Sequence, residues 1–90
     1  RIFVDAGAAK ALKNGASLLP AGATSVDGAF KRGDVLDIAG PDGSAIARGL
    51  AEYDATDAAA ICGKRSETLE SILGYSPRNA MIHRDHMVLL

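Results

Sequence analysis

Tryptophan is absent from this chain, and its aromatic side chains number four: Phe3, Phe30, Tyr53 and Tyr75. Surfaces that stack nucleic-acid bases on exposed rings draw on several such side chains, so a stacking mode of binding is disfavoured. The single cysteine, Cys62, excludes an internal disulfide framework and a cysteine-based zinc site, and it fits a reducing, cytoplasmic setting. Charge of one sign is lacking too. Ten basic and eleven acidic side chains leave a formal charge of −1, which argues against a basic nucleic-acid tail and a polybasic membrane patch. No apolar run approaches the roughly 18 to 20 residues of a membrane span, and no signal-peptide pattern is present. The chain opens on Arg1 rather than methionine and enters the apolar Ile2-Phe3-Val4 at once, which suggests a piece of a longer protein.

What is present is sufficient for one small domain. The chain has 90 residues and 48% hydrophobic side chains, but seventeen of these are alanine. Nine leucines, six isoleucines and four valines supply most of the rest, so the expected core is real but thin.

Short elements follow one another along the chain. Ile2-Phe3-Val4 reads as a strand. Asp5 is a good N-cap for a helix through Lys13, rich in alanine, leucine and lysine, and Gly15 sits where a left-handed residue ends it. Ala8, Ala11 and Leu12 are expected on its inner face. Ser17 to Gly28, interrupted by Pro20 and Gly22, fits a bent edge strand. Phe30-Lys31-Arg32-Gly33-Asp34 is a turn, and Val35 to Ala39 a strand. Gly40-Pro41-Asp42-Gly43 is a strong turn signal before a returning arm from Ser44 to Tyr53, with Gly49 marking a bulge or a close approach. Asp54 to Asp57 can cap a helix through Ile61 and Cys62 that ends at Gly63. Ser66 is expected to cap another, with Leu69, Ile72 and Leu73 on one face and Gly74 as its stop. Met81 to Leu90 reads as one closing strand. The expected fold is mainly β with short peripheral helices: five to six short strands in a small, partly closed barrel.

The run Asp5-Ala6-Gly7-Ala8, Gly15 to Pro20, Val26-Asp27-Gly28 and Phe30-Lys31-Arg32-Gly33-Asp34 resembles the PUA domain, a small pseudobarrel of RNA-binding type. Gly43 to Leu50 matches the same module. Ile72-Leu73-Gly74-Tyr75 and His83-Arg84-Asp85 look like the C-terminal end of the bacterial glutamate 5-kinases, whose last domain is a PUA domain. The resemblance spans nearly the whole chain. It implies a parent that phosphorylates the side-chain carboxylate of glutamate with ATP and magnesium, in an N-terminal amino-acid-kinase domain that these residues do not contain. No P-loop pattern occurs here, so no catalytic residue, metal or cofactor is expected within the 90 residues. The family often carries a second acid after His-Arg-Asp, where this chain has His86; no role for an acid carries over to that position.

The resemblance also implies a face for structured RNA made by the first helix, the segment after it and the last strand. Lys10, Lys13, Asn14, Gly15, Ala16 and Arg84 are its candidate residues. Lysines would hold phosphates, and glycine would let backbone come close. The alternative is a solvated helix face and a helix stop, in a module that serves regulation or assembly of the parent without binding nucleic acid. Charge is uneven along the chain: residues 1–26 and 61–90 are net positive and residues 27–60 net negative. Phe3, Phe30 and Cys62 are expected in the core. On a continuous strand His83 and Asp85 would point one way and His86 the other, so the three would not converge on an ion. Leu18-Leu19-Pro20 and Met87 to Leu90 either close the barrel internally or pack on the parent's kinase domain or a second copy.

Overall fold

The computed structural model describes residues 1–78 and 80–90. Five strands and three short α-helices follow one another among these residues: β1 (Ile2–Val4), α1 (Ala6–Lys13), β2 (Ala23–Val26), β3 (Val35–Ala39), β4 (Ala45–Leu50), α2 (Ala55–Ile61), α3 (Leu69–Leu73) and β5 (Met87–Leu89). The strands form one mixed sheet in the order β2-β1-β3-β4-β5. β1 runs parallel to β3, with Ile2 opposite Ile38, because α1, β2 and their loops carry the chain back across. The other pairings are antiparallel.

The sheet curls and closes on itself through backbone bonds beyond the strands. Glu52, two residues past β4, donates its N–H to Met81. Met81 donates to Leu18, and Leu18 donates back to Ile82 at 2.9 Å. Leu18 then leads into β2 through a 3₁₀ turn at Pro20–Gly22. The ring β2-β1-β3-β4 is thus completed by Met81 and Ile82, giving the expected pseudobarrel. Its interior holds Ile2, Val4, Leu12, Leu18, Ile38, Ile61, Met81 and Ile82, all fully buried. Burying each such side chain contributes about 1.5–3 kcal/mol, which is how a core this small can hold the ring together.

Several local expectations are met. The Asp5 carboxylate accepts the N–H of Ala8 at 2.7 Å, and the Asp54 carboxylate accepts that of Asp57 at 3.2 Å, so both helices have their N-caps. Gly74 ends α3 in the left-handed conformation. Gly49 marks a close approach: a Cβ there would stand 2.5 Å from Cγ2 of Ile82 and 2.8 Å from the carbonyl oxygen of His86.

Others are corrected. Met81 to Leu90 is not one strand: the chain pairs at Met81 and Ile82, breaks into a 3₁₀ turn at Arg84–His86, and resumes as β5. The break is held by the His83 ring, whose Nδ1 accepts the N–H of Asp85. Ser66 does not cap. It begins a 3₁₀ turn, Ser66–Thr68, that runs into α3 without a side-chain cap. On α1 the half-buried partners of Leu12 are Ala8 and Ala9, whereas Ala11 is exposed. Phe30 is buried, but Phe3 is half-buried on the outer face, since strand alternation turns it away from Ile2 and Val4. The Arg1 guanidinium lies over its ring at 5.9 Å.

Candidate nucleic-acid interface

α1 ends in a tightly closed turn. Asn14 donates its N–H to the carbonyls of Lys10 and Ala11, Gly15 donates to Leu12, and Ala16 donates to Ala11 at 3.1 Å. This needs a left-handed residue at position 15, and Gly15 has φ +90°. Nothing lies within 4 Å of where its Cβ would be, so the turn presents bare backbone to solvent. Lys10 and Lys13, in the last helical turn, are exposed. Their charge is favourable there because it opposes the partial negative charge at a helix C-terminus.

The chain then pairs Leu18 with Ile82, and that pairing delivers Arg84. Its N–H donates to the Ser17 hydroxyl at 2.8 Å, across 67 residues of sequence. Arg84 therefore stands beside the segment that follows α1. Of the six candidates Ala16 is half-buried and Lys10, Lys13, Asn14, Gly15 and Arg84 are exposed; the bond to Ser17 places Arg84 beside the end of the run from Lys10 to Ala16. Alongside lies an apolar cavity of about 310 Å³, walled by Ala8 and Ala11 of α1 on one side and Leu18 and Leu19 on the other. Gly22 completes it, where a Cβ would stand 2.6 Å from that of Ala8.

Two further cations that sequence reasoning left aside follow a residue tied to the Pro20 turn. Gly63 donates its N–H to the carbonyl of Pro20 at 2.7 Å, so Lys64 and Arg65, the next two residues, leave from beside that turn. Their adjacency in sequence was the available signal, but only the tertiary bond assigns them a place. Lys10, Lys13, Lys64, Arg65 and Arg84 take part in no ion pair among the described residues. One carboxylate lies within electrostatic reach of Lys13. The Asp42 carboxylate is held below its usual range, first by the Ser44 hydroxyl at 2.6 Å and the Ser44 N–H, with a smaller pull from Lys13.

The closing turn brings His83, Asp85 and His86 closer together than a continuous strand would. The two imidazole centroids are 5.9 Å apart, and Nδ1 of His83 is 3.6 Å from the Asp85 carboxylate. Nδ1 of His86 lies 3.8 Å from Glu52, which is as far from Arg32. Among the described residues no set of three or more histidine, cysteine, aspartate or glutamate side chains could hold a metal. Cys62 is half-buried, and burial pushes its thiol pKa up, away from the reactive thiolate.

Comparison with known proteins bears on the family and the fold. The chain aligns over its whole length with the glutamate 5-kinase of Sphingopyxis alaskensis at 63% identity. It matches that of Novosphingobium aromaticivorans at 60% over 99% of its length, and that of Zymomonas mobilis at 54% over its whole length. It spans about a quarter of the length of these relatives: 24%, 24% and 23%. Among solved structures, a PUA domain from Aeropyrum pernix, a tartrate complex, superposes with a TM-score of 0.69 at 29% identity, covering 94% of this chain and 41% of that one. A conserved PUA domain protein from Thermoplasma acidophilum gives 0.61 at 36% identity, covering 70% of this chain and 42% of its own. The family model for the PUA domain matches residues 1–73, from β1 through α3, and with the pseudobarrel closed by Leu18 and Ile82 this makes the chain a member of the PUA domain family.

Proposed function

We propose that this chain is the C-terminal PUA module of a glutamate 5-kinase, the ATP-dependent enzyme that phosphorylates glutamate to glutamyl 5-phosphate at the first step of proline biosynthesis. The observation that carries the reading is identity of 54–63% to three glutamate 5-kinases over essentially all of the chain. The chemistry belongs to the rest of the parent. ATP and magnesium would be held there. The test is direct: the polypeptide containing this chain converts glutamate and ATP to an acyl phosphate and ADP, trapped as the hydroxamate. Absence of turnover by that polypeptide rejects the parentage.

Within the parent, the module's role is to bind structured RNA in the cytoplasm. The end of α1, the segment to Leu19 and Arg84 supply it. Lys10, Lys13 and Arg84, with Lys64 and Arg65 behind them, would meet phosphates. The exposed backbone at Gly15 allows a strand to come close, and the apolar cavity accepts the face of an unstacked base without an aromatic partner. With at most five cations involved, affinity is modest and falls with salt. Fluorescence anisotropy with a structured RNA at low and moderate salt tests this. Joint replacement Lys10→Glu and Lys13→Glu is expected to weaken binding at least tenfold. Anisotropy that never leaves background, or that ignores the double reversal, rejects the RNA role while leaving the parentage standing.

A further inference from the structure

Three hydrogen bonds among the described residues hold the closing turn at Arg84–His86. The His86 N–H donates to the His83 carbonyl at 2.9 Å, and the Arg84 N–H donates to the Ser17 hydroxyl at 2.8 Å. The Asp85 N–H donates to Nδ1 of His83 at 3.1 Å. The acceptors of the first two bonds do not titrate near neutral pH; the acceptor of the third does. A neutral imidazole has one bare nitrogen and one N–H, and protonation makes donors of both. Accepting from Asp85 therefore assigns the bare nitrogen to Nδ1 and the proton to Nε2.

A second partner stands beside the first. The Asp85 carboxylate lies 3.6 Å from the same Nδ1. With Nδ1 bare, neither atom carries a hydrogen for the other. With Nδ1 protonated, the pair becomes a donor and an acceptor of opposite charge. The His83 side chain is 40% exposed, so water can deliver the proton without opening the barrel. The other charged groups around the ring come from four places. Arg84 and His86 share its turn, and the His86 ring centroid is 5.9 Å away. Glu52, beyond β4, lies 3.8 Å from Nδ1 of His86 and as far from Arg32, in the turn ahead of β3. Arg78, Ser76 and Glu52 join His83 around a cavity of about 380 Å³. Glu52 favours charge on His86, whereas Arg32 and Arg78 oppose it. Asp85 is the acid placed to receive an N–H from His83.

We propose that His83 is a proton-operated catch on the closing turn and the positioning residue for Arg84. With the ring neutral, Nδ1 holds the Asp85 N–H and the turn is fixed. Uptake of one proton from solvent puts a hydrogen on Nδ1, which faces the Asp85 N–H donor to donor. The ring then turns to the Asp85 carboxylate, and the amide is released to water. Imidazoles titrate between roughly pH 5 and 8, so the turn is fixed at the upper end of that range and loosened at the lower. Arg84 stands between the two partners of the catch, and its backbone then keeps only the bond to Ser17. The inference rests on the geometry of the turn alone and holds whether or not this face binds RNA.

Heteronuclear NMR of the isotopically labelled 90-residue chain, from about pH 8 to about pH 5, tests it. At the upper end His83 is expected to show a bare Nδ1 and a protonated Nε2. As pH falls, the Asp85 amide proton is expected to shift upfield with the midpoint of the His83 ring, and the Arg84 amide to move with it. His83→Asn supplies a side-chain oxygen that accepts from the N–H two residues on and does not titrate. Both amides are then expected to hold steady across the range. His86→Asn is expected to leave the wild-type response intact. An Nδ1–H tautomer at the upper end, amides unmoved through the His83 midpoint, a response that survives His83→Asn, or one lost in His86→Asn overturns the proposal. Should His83→Asn fail to fold, the wild-type tautomer and amide midpoints decide.

Discussion

Replacing Gly49 with alanine probes the point where the barrel is drawn shut. Gly49 is buried in β4, with Leu36 opposite it on β3 and Met87 on β5. An added methyl would stand 2.8 Å from the His86 carbonyl oxygen, 2.5 Å from Cγ2 of Ile82 and 3.2 Å from Cβ of Met87. Ordinary contact requires about 3.5–4.0 Å between carbon atoms. Relief therefore needs a shift of roughly half an ångström or more in the backbone of the closing turn, and about 1 Å at Ile82, a side chain with no exposed surface. Overpacking of this kind costs about 1–3 kcal/mol. Restricting the unfolded chain by a Gly→Ala change offsets about 0.4–1 kcal/mol. The expected net loss is about 1–2 kcal/mol, and at roughly 4–8 °C per kcal/mol for a domain of this size the melting temperature falls by about 5–15 °C. Gly7→Ala is the control. Gly7 is exposed in α1, and a Cβ there meets only the Asp5 carboxylate at 3.4 Å. Helix propensity then favours alanine by up to about 1 kcal/mol. Thermal melts of the three proteins decide the matter. A Gly49→Ala protein that melts at or above the wild type would refute the closure through Ile82 and His86.

Three other outcomes are expected. The Tyr75 hydroxyl donates to the Asp57 carboxylate at 2.6 Å, and that bond is the main cause raising its pKa from 10.0 to about 12. A raised pKa stabilises the fold below the unfolded value and loses that stability as pH climbs from about 10 to about 12; urea midpoints should fall across this window in the wild type more than in Tyr75→Phe, and equal slopes would count against the bond. Cys62 should react with a thiol reagent at neutral pH more slowly in the folded chain than in urea, because burial raises its pKa, and equal rates would contradict its placement. Ile82→Ala should cost about 2–5 kcal/mol, by denaturant unfolding, whereas Ile72→Ala, at an exposed position of α3, should cost well under half as much; similar losses would show that Ile82 is not the closing residue.

Features decided within a few residues were legible in advance. Asp5 and Asp54 cap their helices because carboxylate and amide lie three positions apart, so no distant part of the chain is needed. Gly15, Gly33 and Gly74 take left-handed conformations for the same local reason. The inner face of α1 was less legible, since alanines at 8, 9 and 11 are chemically alike and only packing chooses Ala8 and Ala9. Ser66 carried a capping signal, but a 3₁₀ turn supplied the entry to α3 instead.

By itself, then, the amino-acid order determined where helices begin, where turns fall, that the core would be aliphatic and thin, and which residues at the end of α1 would stand in solvent. Only the tertiary structure decided that Arg84 sits beside Ser17, that Gly63, just ahead of Lys64 and Arg65, bonds to Pro20, that the last segment breaks at His83, and that β5 ends the sheet beside β4. The division is physical. Caps and turns are set by bonds spanning two to four residues, whose entropy cost is small and whose partners are fixed in sequence. The ring closure joins residues 64 apart along the chain, Leu18 and Ile82, and which long-range partner wins there depends on how the whole aliphatic interior packs.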